Sequence, residues 1–224
     1  MNCKILLNLS FGLILFGCTN SKSNNPNNSK AAVKVKVVAK TDTAPVQLIN
    51  INKDKEEIQT LIRQMLKWAD TKGAIQLLPA LIKDSICVGF DFDKEKRNLE
   101  ILKNAGFFAD EFIDNYDHII HTLDKKIKNN ALEKWNVYEL PTFNFANDVD
   151  PWCSCQDNFS WDKVEVEIVK IDNDKGELKW NWGKLDPGTD QSWKDSSTPF
   201  RVVKVAGKWK ISYLQGFDYD ESIK

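Results

Sequence analysis

The sequence has almost no net charge and few of the residue patterns that catalytic and metal sites most often use. Its 224 residues include 31 Lys and Arg against 32 Asp and Glu, a net charge of −1. No basic field exists to attract a polyanion, so we expect no nucleic-acid partner. The sequence also lacks a Gly-x-Ser-x-Gly elbow, a His-Glu-x-x-His helix, a Gly-rich phosphate loop and a dinucleotide fingerprint. These absences favour a protein that is not an enzyme and that needs no cofactor.

Long apolar runs are missing as well, which excludes a multi-span membrane protein. Hydrophobic residues make up 42% of the chain and charged residues 28%, a balance typical of a globular protein. The N-terminus is the exception, because Lys4 precedes an apolar run from Ile5 to Phe16. This run is too short to span about 30 Å of hydrocarbon comfortably. It therefore predicts a secretory signal.

The apolar run ends in Leu15-Phe16-Gly17-Cys18, which resembles the bacterial lipobox. The resemblance implies that residues 1–17 are a lipoprotein signal peptide and that Cys18 carries the lipid that anchors the protein in a membrane. A plain signal peptide that happens to contain a cysteine is the alternative. The next residue is Thr19 rather than Asp, so the inner-membrane retention signal of enterobacterial lipoproteins is missing. We expect an outer-membrane protein of the cell envelope that faces the periplasm.

A polar segment follows the lipobox. Residues 19–30 include Ser, Asn, Lys and Pro but no apolar side chain, a composition that predicts a flexible tether. We assign the lipidated cysteine and the tether to residues 18–52 and the folded domain to residues 53–224. A segment of that length is ample for one hydrophobic core.

The cysteine count leaves several interpretations open. Once Cys3 leaves with the signal and Cys18 is lipidated, Cys87, Cys153 and Cys155 remain. In an oxidising compartment, a disulfide from Cys87 to one of the other two is the favoured interpretation. A Cys153–Cys155 disulfide would close a very small ring and would tend to be strained and reducible. The further alternatives are free, partly buried thiols and a zinc site completed by two histidines.

Apolar periodicity places the helices in the first half of the chain. Asp54 to Ala69 and Phe107 to Lys128 both repeat apolar residues at three and four positions, which predicts two amphipathic helices. Lys94 to Lys103 is typical of a short charged helix. Ala74 to Lys83 is apolar but interrupted by a proline, so we expect a short or broken helix there. Ser85 to Asp93 is expected to be irregular.

In the second half the period shifts to two. Alternation over Val164 to Ile168 and Leu178 to Trp182 predicts one hairpin, and Phe200 to Val205 with Trp209 to Tyr213 predicts another. Asp172 to Gly176 fits the first turn better than a calcium loop, which would need a later bidentate Glu. The order of elements predicts an α+β fold with N-terminal helices packed on a curved antiparallel sheet.

A resemblance to a known superfamily rests on two segments. The two amphipathic helices followed by Phe200-Arg-Val-Val-Lys-Val-Ala-Gly-Lys-Trp-Lys-Ile211 resemble the nuclear transport factor 2-like superfamily, whose α+β domain is a cone. Asp148-Val-Asp-Pro-Trp-Cys-Ser-Cys-Gln-Asp157 resembles bacterial envelope members whose domain has no assigned function. The resemblance covers residues 54–217 and implies a cone with a pocket. Other members include dehydratases, isomerases, ligand-binding domains and protein-interaction domains, so the fold does not define the function.

The two histidines are expected to be surface residues. His118 and His121 are three residues apart on the long helix, a spacing that would allow them to chelate a metal or share a proton. At about 100° per residue, however, both lie roughly 140° to 160° from the centre of the apolar stripe. We therefore expect them to face solvent and predict no metal site.

The most unusual stretch runs from Trp135 to Asp162 and holds seven aromatic residues, five acids and no Lys or Arg. Aromatic rings beside carboxylates suit recognition of a sugar, a cationic group or a protein. The alternative is that the rings close the mouth of the cone as core residues while the acids solvate a loop. The candidate ligand or partner site comprises Asp148, Asp150, Trp152, Gln156, Asp157 and Trp161.

Two functions are compatible with the sequence. The favoured one is a lipid-anchored binding or interaction module of the cell envelope, without catalytic activity, whose partners are the membrane and a small molecule or protein. The alternative is a small hydrolase, isomerase or dehydratase that uses buried carboxylates such as Asp148, Asp150 or Asp157 in the cone pocket. An enzyme of that kind would need a carboxylate with a raised pKa inside a cavity.

Overall fold

Helices and an antiparallel sheet together form an α+β fold in the computed structural model, which describes residues 44–71 and 75–224. The predicted signal peptide, Cys18 and the first part of the tether lie outside the described residues. The helices are α1 (Ala44–Ala69), α2 (Phe92–Ala105), α3 (Asp110–Lys128), α4 (Gln191–Asp195) and α5 (Tyr219–Ser222). The strands are β1 (Ala80–Lys83), β2 (Ile86–Phe90), β3 (Val164–Ile171), β4 (Lys175–Trp182), β5 (Ser197–Val205) and β6 (Lys208–Leu214).

Helix α1 begins at Ala44, earlier than the predicted start at Asp54. Residues 44–52, assigned to the tether from the sequence, therefore belong to the helix. Asp54 therefore lies inside the helix, and one of its carboxylate oxygens accepts hydrogen bonds from Lys204 Nζ and Trp209 Nε1, both at 2.9 Å. The carboxylate thus ties α1 to the hairpin of β5 and β6.

Helices α2 and α3 confirm the two helices predicted between residues 94 and 128. Asp91 caps α2 by accepting from the main-chain N–H groups of Asp93 and Lys94, both at 3.1 Å. Helix α3 buries the predicted apolar stripe, whose members include Phe112, Tyr116, Ile119, Ile120 and Leu123. Among the described helices, none is long and apolar enough to cross a membrane.

The four long strands form an antiparallel meander in the order β3-β4-β5-β6, which confirms both predicted hairpins. Val164 and Val166 on β3 are buried, whereas Glu165 and Glu167 face outward, as the period of two requires. The first turn is stabilised by Asp172, whose carboxylate accepts from the main-chain N–H groups of Asp174 and Lys175 at 3.0 and 2.8 Å. The structure therefore shows a hairpin turn here.

The outer edge of β3 is partly covered by helix α1. The main-chain N–H of Val166 donates to Gln59 Oε1 at 3.1 Å, and Arg63 Nε donates to the carbonyl of Val164 at 2.7 Å. Two side chains of α1 therefore form hydrogen bonds with backbone groups of β3 that would lack a partner at an uncovered edge.

The opposite edge, on β6, is covered by the segment between α2 and α3. The N–H of Ile211 donates to the carbonyl of Phe107, and the N–H of Ala109 donates to the carbonyl of Ile211, both at 2.9 Å. This short parallel bridge fixes the start of α3 against the sheet. Helix α1 packs against both β3 and β6.

A second, two-stranded sheet was not predicted. Strands β1 and β2 pair in an antiparallel hairpin where the sequence indicated a broken helix and an irregular segment. The turn residues Asp84 and Ser85 both have positive φ, 51° and 64°, as a tight two-residue hairpin requires. The far side of β2 receives the loop that follows α3, because the N–H of Cys87 donates to Trp135 and that of Val137 donates to Ser85.

Candidate functional site

The predicted site residues from Asp148 to Asp157 lie in a compact loop. Asp150 organises its tightest part, since its carbonyl accepts from the N–H of Ser154 at 2.8 Å and its carboxylate accepts from the N–H of Trp152 at 3.0 Å. The N–H of Asp150 donates to the carbonyl of Cys155 at 2.9 Å. Ser154 turns the chain with φ 53°. The loop is thus folded on its own backbone.

The cysteine pairing differs from the favoured interpretation. Cys153 and Cys155 form a disulfide, and Cys87 is a buried free thiol. The predicted disulfide to Cys87 is wrong because its two candidate partners are bonded to each other. Cys87 lies on β2, where its thiol donates to the carbonyl of Gly89 at 3.3 Å. Burial raises the pKa of this thiol, so it is less reactive than an exposed cysteine. The number of cysteines in the sequence does not show which of them lie close together in the fold.

The two tryptophans of the candidate site are core residues. Trp152 is only 4% exposed, and its ring lies 4.7 Å from Phe217 and 5.6 Å from Trp68, centroid to centroid. Trp161 is 7% exposed and stacks on Trp182 at 5.4 Å. Their faces are covered by other rings, so the structure favours the alternative interpretation for both, in which the aromatic residues build the core.

The polar members of the candidate site remain at the surface. Asp148, Gln156 and Asp157 are exposed, and Gln156 Nε2 donates to the carboxylate of Asp148 at 2.7 Å. Partial desolvation raises the pKa of Asp150, the hydrogen bond from the Trp152 N–H lowers it, and the charge of Asp70 raises it again. The structure brings Asp148 and Gln156 together at the exposed surface.

A different surface carries exposed apolar residues. A groove of about 600 Å³ lies beside β1 and the loop that follows α3. Its lining includes Leu78, Ile82, Val137 and Tyr138. The side chain of Tyr138 is 84% exposed. Within the described residues, no strand pairs with the outer edge of β1.

A cluster that sequence reasoning missed lies between α2 and α3. Glu95 on α2, with Asp117 and His121 on α3, place one carboxylate or imidazole atom each within 4.8 Å of one another. Glu95 is 2% exposed. Burial raises the pKa of Glu95 to about 8, and a hydrogen bond with Asp117 and the charge of Asp117 act in the same direction.

The local sequence explains how this cluster is held. Asp117 and His121 are four residues apart on α3, so their side chains lie on the same face of the helix. The ring of His121 stacks on Phe92 with the centroids 4.5 Å apart, and its Nδ1 lies 3.0 Å from the carbonyl oxygen of Asp117. Both histidines are exposed as predicted. The spacing of Asp117 and His121 was visible in the sequence, but the contribution of Glu95 depends on helix packing.

The fold and these sites are the basis for assigning function. No protein-family model, curated protein or solved structure matches this chain. The described residues form an α+β domain with a closed aromatic core, and they include an exposed apolar groove and a partly buried cluster of ionisable side chains. A function must therefore be argued from these residues.

Proposed function

We propose that this chain is a lipid-anchored binding module of the cell envelope, without catalytic activity, and that its folded domain has the cone shape of the nuclear transport factor 2-like superfamily. Acylated Cys18 would hold it on the outer membrane, facing the periplasm. The lipobox-like Leu15-Phe16-Gly17-Cys18 and the polar residues 19–30 support the anchor. Two or more acyl chains on one cysteine suffice for stable membrane attachment.

The position of α1 supports the cone. A single helix packs against both β3 and β6, which are the two edge strands of the four-stranded sheet. Adjacent strands are about 4.8 Å apart, so a flat sheet of four strands would separate its edges by roughly 14 Å. A helix about 10 Å wide reaches both edges more readily if the sheet curls around it. Curvature of this kind is what the superfamily resemblance implies.

The observation that carries the binding proposal is the apolar groove beside β1. Within the described residues the outer edge of β1 has no strand partner, and the groove is lined by Ile82 of β1 and, on the far side of β2, by Tyr138. This combination suits an extended protein segment with aliphatic side chains, which would add as a strand and place alternate side chains in the groove. We therefore propose an envelope protein as the partner.

The enzyme alternative is not favoured by its own candidate residues. Asp148 and Asp157 are exposed, whereas catalysis by a tuned carboxylate depends on withdrawal from water. The carboxylate of Asp150 is bound to its own turn through the N–H of Trp152. These carboxylates therefore lack the enclosure that the enzyme alternative requires.

Site-specific photo-crosslinking in living cells tests the proposed surface. A photoreactive phenylalanine analogue at position 138 or position 82 should capture the same envelope protein. The matched control is position 169, because Val169 is also an exposed apolar residue, 56% exposed, but lies on β3. Tyr138→Ala should weaken capture from position 82 without changing the thermal unfolding temperature. Equal capture from position 169 would refute the assignment of the groove.

A further inference from the structure

The geometry points to a binding site for a divalent transition-metal cation, with zinc as the test ion, formed by Glu95, Asp117 and His121. The three side chains come from two helices and offer two carboxylates and one imidazole within 4.8 Å of one another. Imidazole nitrogen and carboxylate oxygen are ordinary ligands of zinc and of neighbouring first-row metals. This inference does not depend on the proposed function.

The strongest observation is the state of Glu95. The side chain is almost fully buried, and its Oε1 has no hydrogen-bond partner within the described part of the chain. A buried polar oxygen without a partner is costly, and a native structure normally satisfies it. The carboxyl of Glu95 shares a hydrogen bond with the carboxylate of Asp117, but an ionised Asp117 has no proton to donate to Oε1. A bound cation would satisfy both carboxylates together.

The two ligands from α3 are arranged for chelation. One helical turn separates Asp117 from His121, and Asp117 Oδ1 lies 3.3 Å from His121 Nδ1. Ligand atoms around a tetrahedral zinc ion lie roughly 3.3 Å apart, as follows from bond lengths near 2.0 Å. This pair already has that spacing, and to bind metal Nδ1 would give up the proton that it donates to the Asp117 carbonyl oxygen 3.0 Å away. Binding would then need only a contraction of about 1.5 Å or less between these atoms and the carboxyl of Glu95.

A neighbouring aromatic ring holds the imidazole. Phe92 stacks on the imidazole of His121, which restricts ring rotation. Restriction of a ligand before binding lowers the entropic cost of forming the site.

One side of the site is open. The side chains of Asp117 and His121 are 39% and 52% exposed, whereas Glu95 lies beneath them. A metal held by three protein ligands would therefore keep at least one coordination position for water or an external ligand. Because the ligands come from both helices, binding would also crosslink α2 to α3 and stabilise the folded state.

Zinc titration of the purified full-length chain, carried on a tag without histidine and stripped with a chelator, tests the site. Competition with a chromophoric chelator should show one equivalent of zinc bound with a Kd in the micromolar range or below. Glu95→Gln keeps the size of the side chain but removes its charge, and it should weaken binding by about 10-fold or more. His121→Ala should do the same. His118→Ala is the matched control, because His118 is exposed on the same helix and stacks on Tyr219 instead.

Two further measurements keep the test decisive. Zinc should raise the thermal unfolding temperature of the wild type and of His118→Ala, but not that of Glu95→Gln. Cobalt bound to the wild type should give visible absorption bands that His121→Ala loses. The proposal is overturned by a wild type that binds no stoichiometric zinc, or by a Glu95→Gln variant that binds as tightly as the wild type. The buried carboxyl would then be a protonated Glu95 that donates to Asp117.

Discussion

Substitution of Gly216 by alanine should be one of the most destabilising small changes in this protein. Gly216 lies in the short 3-10 turn after β6 and packs against the disulfide loop. A Cβ atom at this position would clash with the carbonyl oxygen of Pro151 and would lie 2.5 Å from the Pro151 Cα. These neighbours are backbone atoms of a loop that Asp150 and the Cys153–Cys155 disulfide hold in place. They cannot rotate away as a flexible side chain would.

The magnitude follows from this clash. Overpacking a tight site costs about 1 to 3 kcal/mol and occasionally more, and contacts below 3 Å with backbone atoms place Gly216→Ala at the upper end, near 3 kcal/mol. In a domain of this size, each kcal/mol shifts the unfolding temperature by roughly 2 to 4 °C. We therefore expect a decrease of about 6 to 12 °C. The neighbouring Phe217 sits at the centre of the aromatic core, so any relief by movement of the turn would disturb that core.

Urea and thermal unfolding followed by tryptophan fluorescence measure this effect, because several tryptophans lie in the core. Gly188→Ala is the matched control, since no heavy atom lies within 4 Å of the added Cβ. It should change the free energy of unfolding by less than about 0.5 kcal/mol. If Gly216→Ala were as stable as Gly188→Ala, the loop would not pack on the turn as described.

Three further predictions concern other parts of the chain. Metabolic labelling with a fatty-acid analogue should tag the wild type but not Cys18→Ala, and equal labelling would exclude lipid at this cysteine. Asp54→Ala should lower the free energy of unfolding by about 1 to 3 kcal/mol, because two hydrogen-bond donors on the β5–β6 hairpin lose their acceptor; a change below about 0.5 kcal/mol in urea unfolding would contradict this role. The double change of His118 and His121 to alanine should cost less than about 1 kcal/mol in metal-free protein, and a loss of several kcal/mol would show that these exposed rings contribute to the core.

The sequence predicted the long, regular elements well. The apolar stripe on α3 extends over several helical turns, and the alternation on β3 and β4 extends over eight residues each. Over these lengths the helical and strand periods of the apolar residues are unambiguous. The β1–β2 hairpin was missed because its strands have four and five residues. That length is too short for a period of two to stand out from an apolar run containing Pro79.

The candidate site was predicted less well, for a physical reason. A loop rich in aromatic and acidic residues has the same sequence pattern whether its rings bind a ligand or fill the core. Only the packing of Trp68 and Phe217 around Trp152 distinguishes the two cases. The cluster on α2 and α3 presents the opposite difficulty. Asp117 and His121 are local in sequence, but Glu95 reaches them through tertiary contact between two helices.

The covered edges of the main sheet determine how copies of this protein can associate. Side chains of α1 occupy part of the β3 edge, and residues 107–109 occupy part of the β6 edge. Strand-to-strand growth from the large sheet is therefore hindered at both ends. The hairpin of β1 and β2 remains, and the loop at residues 135–137 already covers the far side of β2. Two copies that met through β1 would form a closed pair rather than a fibre, because neither would have a second open edge in that sheet to continue the pairing.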